Sequence, residues 1–122
     1  MMINPLFSVC ASCPEVTALI GSDPVRLYAF GSQDDEVIYP YVTWQNTGGE
    51  PALYLGSRPD IDRWTVQIDV WASTADEALA VATALRDAIE TQACITRWGG
   101  QSRDPETRSY RFSFDADWLV SR

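Results

Sequence analysis

Hydrophobic and polar residues alternate most regularly between residues 64 and 72. Three aliphatic residues point to one side of an extended chain there: Val66, Ile68 and Val70. The residues between them point to the other side: Thr65, Gln67, Asp69 and Trp71. A period of two is typical of a half-buried strand, so this stretch predicts a central strand with a buried face and an outward face.

Directly after this strand, the spacing of apolar residues changes to the three and four of a helix. The apolar residues with this spacing are Ala78, Ala82, Leu85 and Ile89. Thr74 and Glu77 have the spacing of a capping box, in which each side chain satisfies a backbone N–H at the start of a helix. The pattern therefore predicts a helix over residues 74–89.

Weaker patterns predict the remaining elements. Residues 4–20 suggest one broken helix or two short ones, because Pro14 interrupts the helical pattern and Gly21 ends it. Four further strands are predicted, at residues 25–30, 39–45, 94–98 and 108–120, with a turn at residues 99–106. The last strand has an aromatic face that we expect to pack under the helices.

Together these elements predict an α+β fold. We expect a single sheet of four to five mainly antiparallel strands with two helices packed on one face, in the order α-β-β-β-α-β-β. A length of 122 residues fits one domain over residues 1–122.

The connection at residues 46–60 is too long for a tight hairpin and predicts an extended hairpin arm or a flexible loop. Leu53, Tyr54 and Leu55 lie between charged residues, namely Glu50, Arg58 and Asp60. This composition suits a contact patch with a charged rim, and it also suits a loop with a few hydrophobic residues.

Charge and composition restrict the possible functions. The formal net charge of −8 opposes sequence-independent binding to nucleic acid, which depends on basic side chains that neutralise phosphates. The nine basic residues are all arginines, which favour planar contacts with carboxylates. We expect no membrane span and no signal peptide, and therefore a cytoplasmic product.

Candidate catalytic groups are few. The chain has neither histidine nor lysine, which excludes a Ser-His-Asp or Cys-His system and a Schiff-base lysine. Asp115 and Asp117 could form an acid and base pair, but they also suit the polar face of a strand. Cys10 and Cys13 have C-x-x-C spacing, yet three cysteines cannot supply the four ligands of a structural zinc. We therefore expect no enzyme, no metal and no cofactor.

Five stretches, in their order and spacing, resemble the tail completion, or tail terminator, proteins of long-tailed bacteriophages and prophages. They are residues 14–21, 26–28, 39–44, 66–72 and 110–118. The resemblance implies a structural protein that forms a hexameric ring on the end of the tail tube, stops tube polymerisation and provides the surface for head joining. It also implies contacts with the tail tube protein and with a head completion or connector protein.

The same resemblance implies a place at the head–tail junction of the virion, after synthesis in the cytoplasm of the bacterial host. DNA would pass through the ring without specific binding, and no membrane would be involved. Three alternatives stay open: another neck or head-completion component, a small cytoplasmic adaptor, and a cysteine-dependent redox protein.

We expect the arm and the outward face of the central strand to make the subunit and tube contacts. Arg58, Arg63 and Arg97 would pair with carboxylates across the seam between subunits. The complete predicted interface is Glu50, Leu53, Tyr54, Leu55, Arg58, Asp60, Arg63, Gln67, Asp69, Trp71 and Arg97.

Overall fold

Three helices and five strands make up the part of the chain that the computed structural model describes, which is residues 5–22, 24–29, 37–51, 58 and 61–121. In chain order they are α1 (Leu6–Ala11), α2 (Pro14–Ile20), β1 (Leu27–Ala29), β2 (Tyr41–Pro51), β3 (Ile61–Ala72), α3 (Ala75–Ile89), β4 (Cys94–Arg103) and β5 (Tyr110–Ser121). None of these helices is long and apolar enough to cross a membrane.

The strands form one mixed sheet in the order β1-β2-β3-β5-β4. β1 runs parallel to β2, and the other three pairings are antiparallel. The predicted α+β class and the single, mainly antiparallel sheet are therefore confirmed. The predicted N-terminal element consists of two short helices, α1 and α2, which is one of the two expected alternatives. The described chain therefore has three helices, where the expected fold counted this element as one.

The core lies between the sheet and the helices. Val66, Ile68 and Val70 of β3 are fully buried, as their alternation predicts. Phe114 and Trp118 of β5 lie in the same core, where they pack with buried residues of α3. The aromatic face of the last strand is thus a packing surface, which is the usual fate of a large apolar face.

The start of α3 confirms the capping box. The Glu77 backbone N–H donates to Thr74 Oγ1 at 3.1 Å. In return, Glu77 Oε1 accepts from the backbone N–H of Ser73 at 3.2 Å. Two donors at the helix terminus are satisfied in this way, so the strand β3 ends and the helix begins within a few residues.

Replacing Thr74 with alanine should lower the free energy of unfolding by about 1 kcal/mol, because the Glu77 N–H then loses its acceptor. Urea denaturation followed by circular dichroism would measure the loss. Thr83→Ala is the matched control, since Thr83 lies in the exposed middle of the same helix and alanine is the better helix former there. Equal losses in the two variants would contradict the assigned cap.

β4 is longer than predicted, and the predicted turn at residues 99–106 is wrong in its first half. The pairing with β5 shifts register between Trp98 and Gly100, and a second shift lies between Ile95 and Arg97. Gly99 and Gly100 therefore lie in a bulged strand, and Gly100 has a φ of +94° that glycine adopts readily. The turn itself begins at Asp104, whose Oδ1 accepts from the Glu106 N–H at 2.9 Å.

The hairpin of β2 and β3 is also longer than the predicted strands. Its pairing continues to Glu50 opposite Arg63 and Pro51 opposite Asp62, with one register shift between Asn46 and Gly48. Residues 46–51 of the predicted arm thus belong to β2. Residues 52–57, 59 and 60 lie outside the described residues, as does the acidic stretch at residues 34–36.

Candidate functional site

The two faces of the sheet differ in chemistry. The helices pack on one face, and we call the other one the open face. Aromatic, amide, hydroxyl and charged side chains from four strands meet on the open face: Tyr28, Tyr41, Thr43, Gln67, Asp69, Trp71, Arg111, Asp115 and Asp117. This composition resembles the centre of a protein interface, where aromatic residues and arginine are enriched.

A row of aromatic rings crosses the open face from β1 to β3, and Arg111 of β5 ends it. Tyr41 stacks on Trp71 with ring centroids 6.2 Å apart, and Tyr28 contacts the edge of Tyr41 at 6.3 Å. The Arg111 guanidinium lies 5.4 Å from the Trp71 ring centroid, a cation–π distance. Burial, with Tyr39 and Asp104 nearby, raises the pKa of Tyr41, so its phenol is neutral at physiological pH.

Asp69 is the charged centre of the open face. Its Oδ1 accepts from Arg111 Nη2 at 3.0 Å and from Arg111 Nε at 3.2 Å. Gln67 Nε2 donates to Asp69 Oδ2 at 3.2 Å. Asp69 is only 9% exposed, and a buried carboxylate requires such partners. The pair therefore holds Arg111 over Trp71.

A second polar group lies where the β2–β3 hairpin extends furthest. We call it the hairpin base, and its members are Thr47, Gly48, Gly49, Glu50, Arg63 and Thr65, which line a shallow depression. Arg63 Nη2 lies 2.7 Å from Glu50 Oε1. Thr65 Oγ1 donates to Asp117 Oδ1 at 2.8 Å, and this bond connects the hairpin base to β5. Most of this group is solvent-exposed.

The structure brings together part of the predicted interface. Gln67, Asp69 and Trp71 share the open face, and Glu50 and Arg63 form one ion pair. Arg97 lies on β4 at the other side of the sheet, where its Nη1 is 3.6 Å from Asp115 Oδ2. Arg58 is exposed. The remaining predicted residues lie outside the described part of the chain: Leu53, Tyr54, Leu55 and Asp60.

Arg63 and Arg97 thus have carboxylate partners within their own chain. Both ion pairs are exposed on the arginine side, so each guanidinium keeps donors for a second carboxylate. Asp69 is nearly enclosed, so its direct role is to position Arg111.

Three residues of the open face are absent from the interface predicted from the sequence: Tyr28, Tyr41 and Arg111. Tyr41 and Arg111 belong to predicted strands, and the alternation of the last strand places Arg111 outward. Their meeting with Trp71 depends on the register, which sets Tyr41 and Arg111 opposite Trp71 on its two neighbouring strands. No local pattern contains that information.

The cysteines and the two neighbouring aspartates have structural surroundings. Burial, with Cys13 nearby, raises the pKa of Cys10 to about 12, which opposes formation of a reactive thiolate. Cys13 Sγ donates to Glu15 Oε2 at 3.2 Å. Asp115 and Asp117 have separate partners in Arg97 and Thr65. Among the described residues, no group of histidine, cysteine or carboxylate side chains has the geometry of a metal site.

A sheet with helices on one face and an aromatic, hydrogen-bonded surface on the other defines this chain as a small α+β protein suited to contacts with other proteins. The family model described as tail completion protein gp17 matches residues 4–121. The chain therefore belongs to the tail completion protein gp17 family, as its resemblance to tail completion proteins implies. It is a structural protein of the virion tail.

Solved structures share the fold. A chain of the virion of the native gene transfer agent (GTA) particle superposes with a TM-score of 0.74 at 14% identity, over 96% of this chain and 92% of that chain. The gp17 protein of bacteriophage SPP1 superposes with a TM-score of 0.56 at 13% identity, over 96% of this chain and 86% of that chain. A comparison with curated protein sequences found no significant match.

Proposed function

We propose that the protein forms a ring on the end of the tail tube, stops further polymerisation of the tube and presents a surface for head joining. The observation that carries this proposal is the family match over residues 4–121. The fold shared with gp17 of bacteriophage SPP1 and with a chain of the GTA virion supports it. The direct partners would be further copies of the chain, the tail tube protein and a head completion or connector protein.

The proposal includes a purely structural role without catalysis. The open face offers aromatic and paired polar side chains, which suit protein contacts. The buried Cys10, whose pKa is raised to about 12, does not suit redox chemistry. Contacts with the tube and with neighbouring subunits would be made by the open face, the hairpin base and the adjoining arm.

A hexameric ring is the assembly that we propose. Each subunit has a formal net charge of −8, so six copies would build a strongly acidic ring. An acidic wall repels the phosphate backbone, which would let DNA pass without binding. The assembly would lie at the head–tail junction of the virion, after synthesis of the subunit in the cytoplasm of the host.

Electron microscopy of the purified protein, with and without tail tube subunits, tests this function. We expect rings of six copies by native mass spectrometry, and tubes of uniform length with a ring at one end. A strict monomer at high concentration, both alone and beside tube subunits, would contradict the proposal. Rings that leave the tubes uncapped would instead favour another component of the neck.

Trp71 offers a matched pair of variants for the same assay. Trp71→Ala removes the ring that stacks between Tyr41 and Arg111, and we expect it to weaken tube capping roughly thirty-fold, as for a hot-spot aromatic. Trp71→Phe keeps an aromatic ring there and loses the hydrogen bond to Thr43 and part of the ring area, so it should cap tubes much better than Trp71→Ala. If both variants capped tubes as well as the natural protein does, the open face would be excluded from the tube contact.

A further inference from the structure

The chain has a second exposed surface, which lies on the helix side of β4 and outside the predicted interface. Leu79, Thr83 and Arg86 of α3 line a groove with Trp98 and Phe112 of the sheet, and we call it the β4 groove. Trp98 is 51% exposed and Leu79 is 48% exposed. One side of the Trp98 ring packs on Phe112 and Phe114, with centroids 5.9 and 5.5 Å away, so the indole is held in place. A fixed and half-exposed tryptophan is typical of an interface anchor.

The strand beside this groove is an open edge. β4 pairs with β5 and has no second neighbour among the described strands. Nine of its ten residues are exposed. Such an edge offers unpaired backbone groups to another chain. β4 also carries two arginines and no carboxylate: Arg97 extends to the open face, where it pairs with Asp115, and Arg103 lies over the Tyr110 ring. Both guanidinium groups are exposed and keep donors for a further carboxylate, so this edge suits a partner that presents one.

The hairpin base lies at the other side of the same sheet. β1 pairs with residues 42–44 of β2, so the end of β2 that carries Gly48 and Glu50 has β3 as its neighbour in the described sheet. The Glu50 side chain pairs with Arg63 and is still 64% exposed, so its carboxylate can accept a second donor. No described atom lies within 4 Å of the position that a Cβ on Gly48 would occupy. Among the described residues, none therefore blocks close approach of an aromatic ring at this position.

We infer that the β4 groove of one copy receives the hairpin base of the next copy. This inference rests on the proposed ring and names its contact. A ring needs two different surfaces on well-separated sides of each subunit, and these surfaces lie on β2 and β4, with β3 and β5 between them. Trp98 packs over the Gly48 backbone of the neighbour, and the exposed guanidinium of the adjacent Arg97 takes the neighbour's Glu50 as a second carboxylate.

Two bulky substitutions test the contact without disturbing the core. Leu79→Arg places a charge in the groove on an exposed helical position, where arginine is a good helix former. Gly48→Arg fills open space, and Gly48 does not have a positive φ that would strain a side chain. Ala80→Arg is the matched control, because Ala80 is an exposed neighbour on α3 that does not line the groove. Circular dichroism and thermal melting would verify that each variant is folded.

Native mass spectrometry under conditions where the natural protein forms rings provides the readout. Each bulky variant should lose ring formation, with an association constant at least roughly thirty-fold lower, whereas Ala80→Arg should form rings. Mixing Leu79→Arg with Gly48→Arg should give a 1:1 heterodimer and no larger species. Each mixed pair keeps one intact groove and one intact hairpin base, and these two can still meet.

Three results would overturn the contact. Rings formed by either bulky variant would do so while leaving the proposed ring intact. Loss of rings in both variants without a heterodimer in the mixture would show that the two surfaces do not meet. Intact rings that no longer cap tubes in Leu79→Arg would assign the groove to the tube protein. Absence of rings in the natural protein, alone and beside tube subunits, would instead remove the proposed ring and the contact with it.

Discussion

Replacing Phe114 with alanine is expected to lower the free energy of unfolding by about 3–5 kcal/mol, which is the usual cost of removing a buried aromatic side chain. Phe114 is fully buried on β5, opposite Ile68 of β3, and its ring contacts Phe112 and Trp98. The substitution leaves a cavity between the sheet and α3 that the neighbouring strands cannot close. For a domain whose total stability is about 5–15 kcal/mol, a loss of this size is severe.

The measurement is urea denaturation followed by far-ultraviolet circular dichroism. Phe7→Ala is the control, because Phe7 is an aromatic residue of the same size that is 48% exposed on α1. We expect its loss to stay near or below about 1 kcal/mol, as for most partly exposed positions. Similar midpoints for the two variants would contradict the placement of the core between β5 and the helices.

The second large effect concerns Asp69. Asp69→Ala should destabilise the protein by about 2–3 kcal/mol, because it removes the acceptor of Arg111 and Gln67 on a largely enclosed part of the open face. Arg111→Ala should cost less, since its side chain is 36% exposed and water can replace part of what is lost. In the double variant the losses should not add, with a coupling of about 1–2 kcal/mol for two residues in direct contact.

Arg97→Ala is the comparison for this cycle. Its side chain is 68% exposed and lies 3.6 Å from Asp115, so the ion pair should contribute less than about 1 kcal/mol. Additive losses for Asp69 and Arg111 would show that the pair does not act as a unit. Asp69 would then not be the residue that positions Arg111 over Trp71.

Asp69 also connects stability to function on the open face. Without its carboxylate, the Arg111 guanidinium loses the two bonds that keep it 5.4 Å from the centre of the Trp71 ring. The aromatic row would then lose its fixed end at β5. Asp69→Ala can therefore be compared with Trp71→Ala in the capping assay. If the folded fraction of Asp69→Ala caps tubes less well than the natural protein, its defect has the same origin as the one expected for Trp71→Ala.

The two proposed contact regions have different physical characters. The open face is an aromatic row supported by hydrogen bonds, whereas the β4 groove joins an exposed tryptophan to an open strand edge. A ring on a tube needs contacts of two kinds, one between copies of the subunit and one with the tube. The Trp71 variants test the contact with the tube, and the Leu79 and Gly48 variants test the contact between copies of the subunit.

Local patterns predicted the parts of this protein that depend on neighbouring residues. The alternation through Val66, Ile68 and Val70 identified the central strand and its buried face, and both are confirmed. Thr74 and Glu77 located the start of α3, because the hydrogen bonds of a cap join residues only three or four positions apart. The order of several such stretches was enough to indicate the family.

The positions at which the strands end depend on pairing with residues that are far away in the sequence. Gly99 and Gly100 have the composition of a turn, and the local pattern predicted one there. In the structure, pairing with β5 keeps them in β4, because a bulge accommodates an extra residue while the pairing continues on both sides of it. The ends of β2 and β3 are extended in the same way by pairing with each other.

By itself, the sequence determined the α+β class, the central strand, the helix that follows it and the kinship with tail completion proteins, because each depends on periodicity or on short motifs. Only the tertiary structure decided which side chains meet. β5 lies between β3 and β4, so Arg111 reaches Asp69 across 42 residues of sequence, and Trp98 reaches the groove beside α3. Such contacts follow from strand order and register, which arise from packing of the whole chain and are absent from any local pattern.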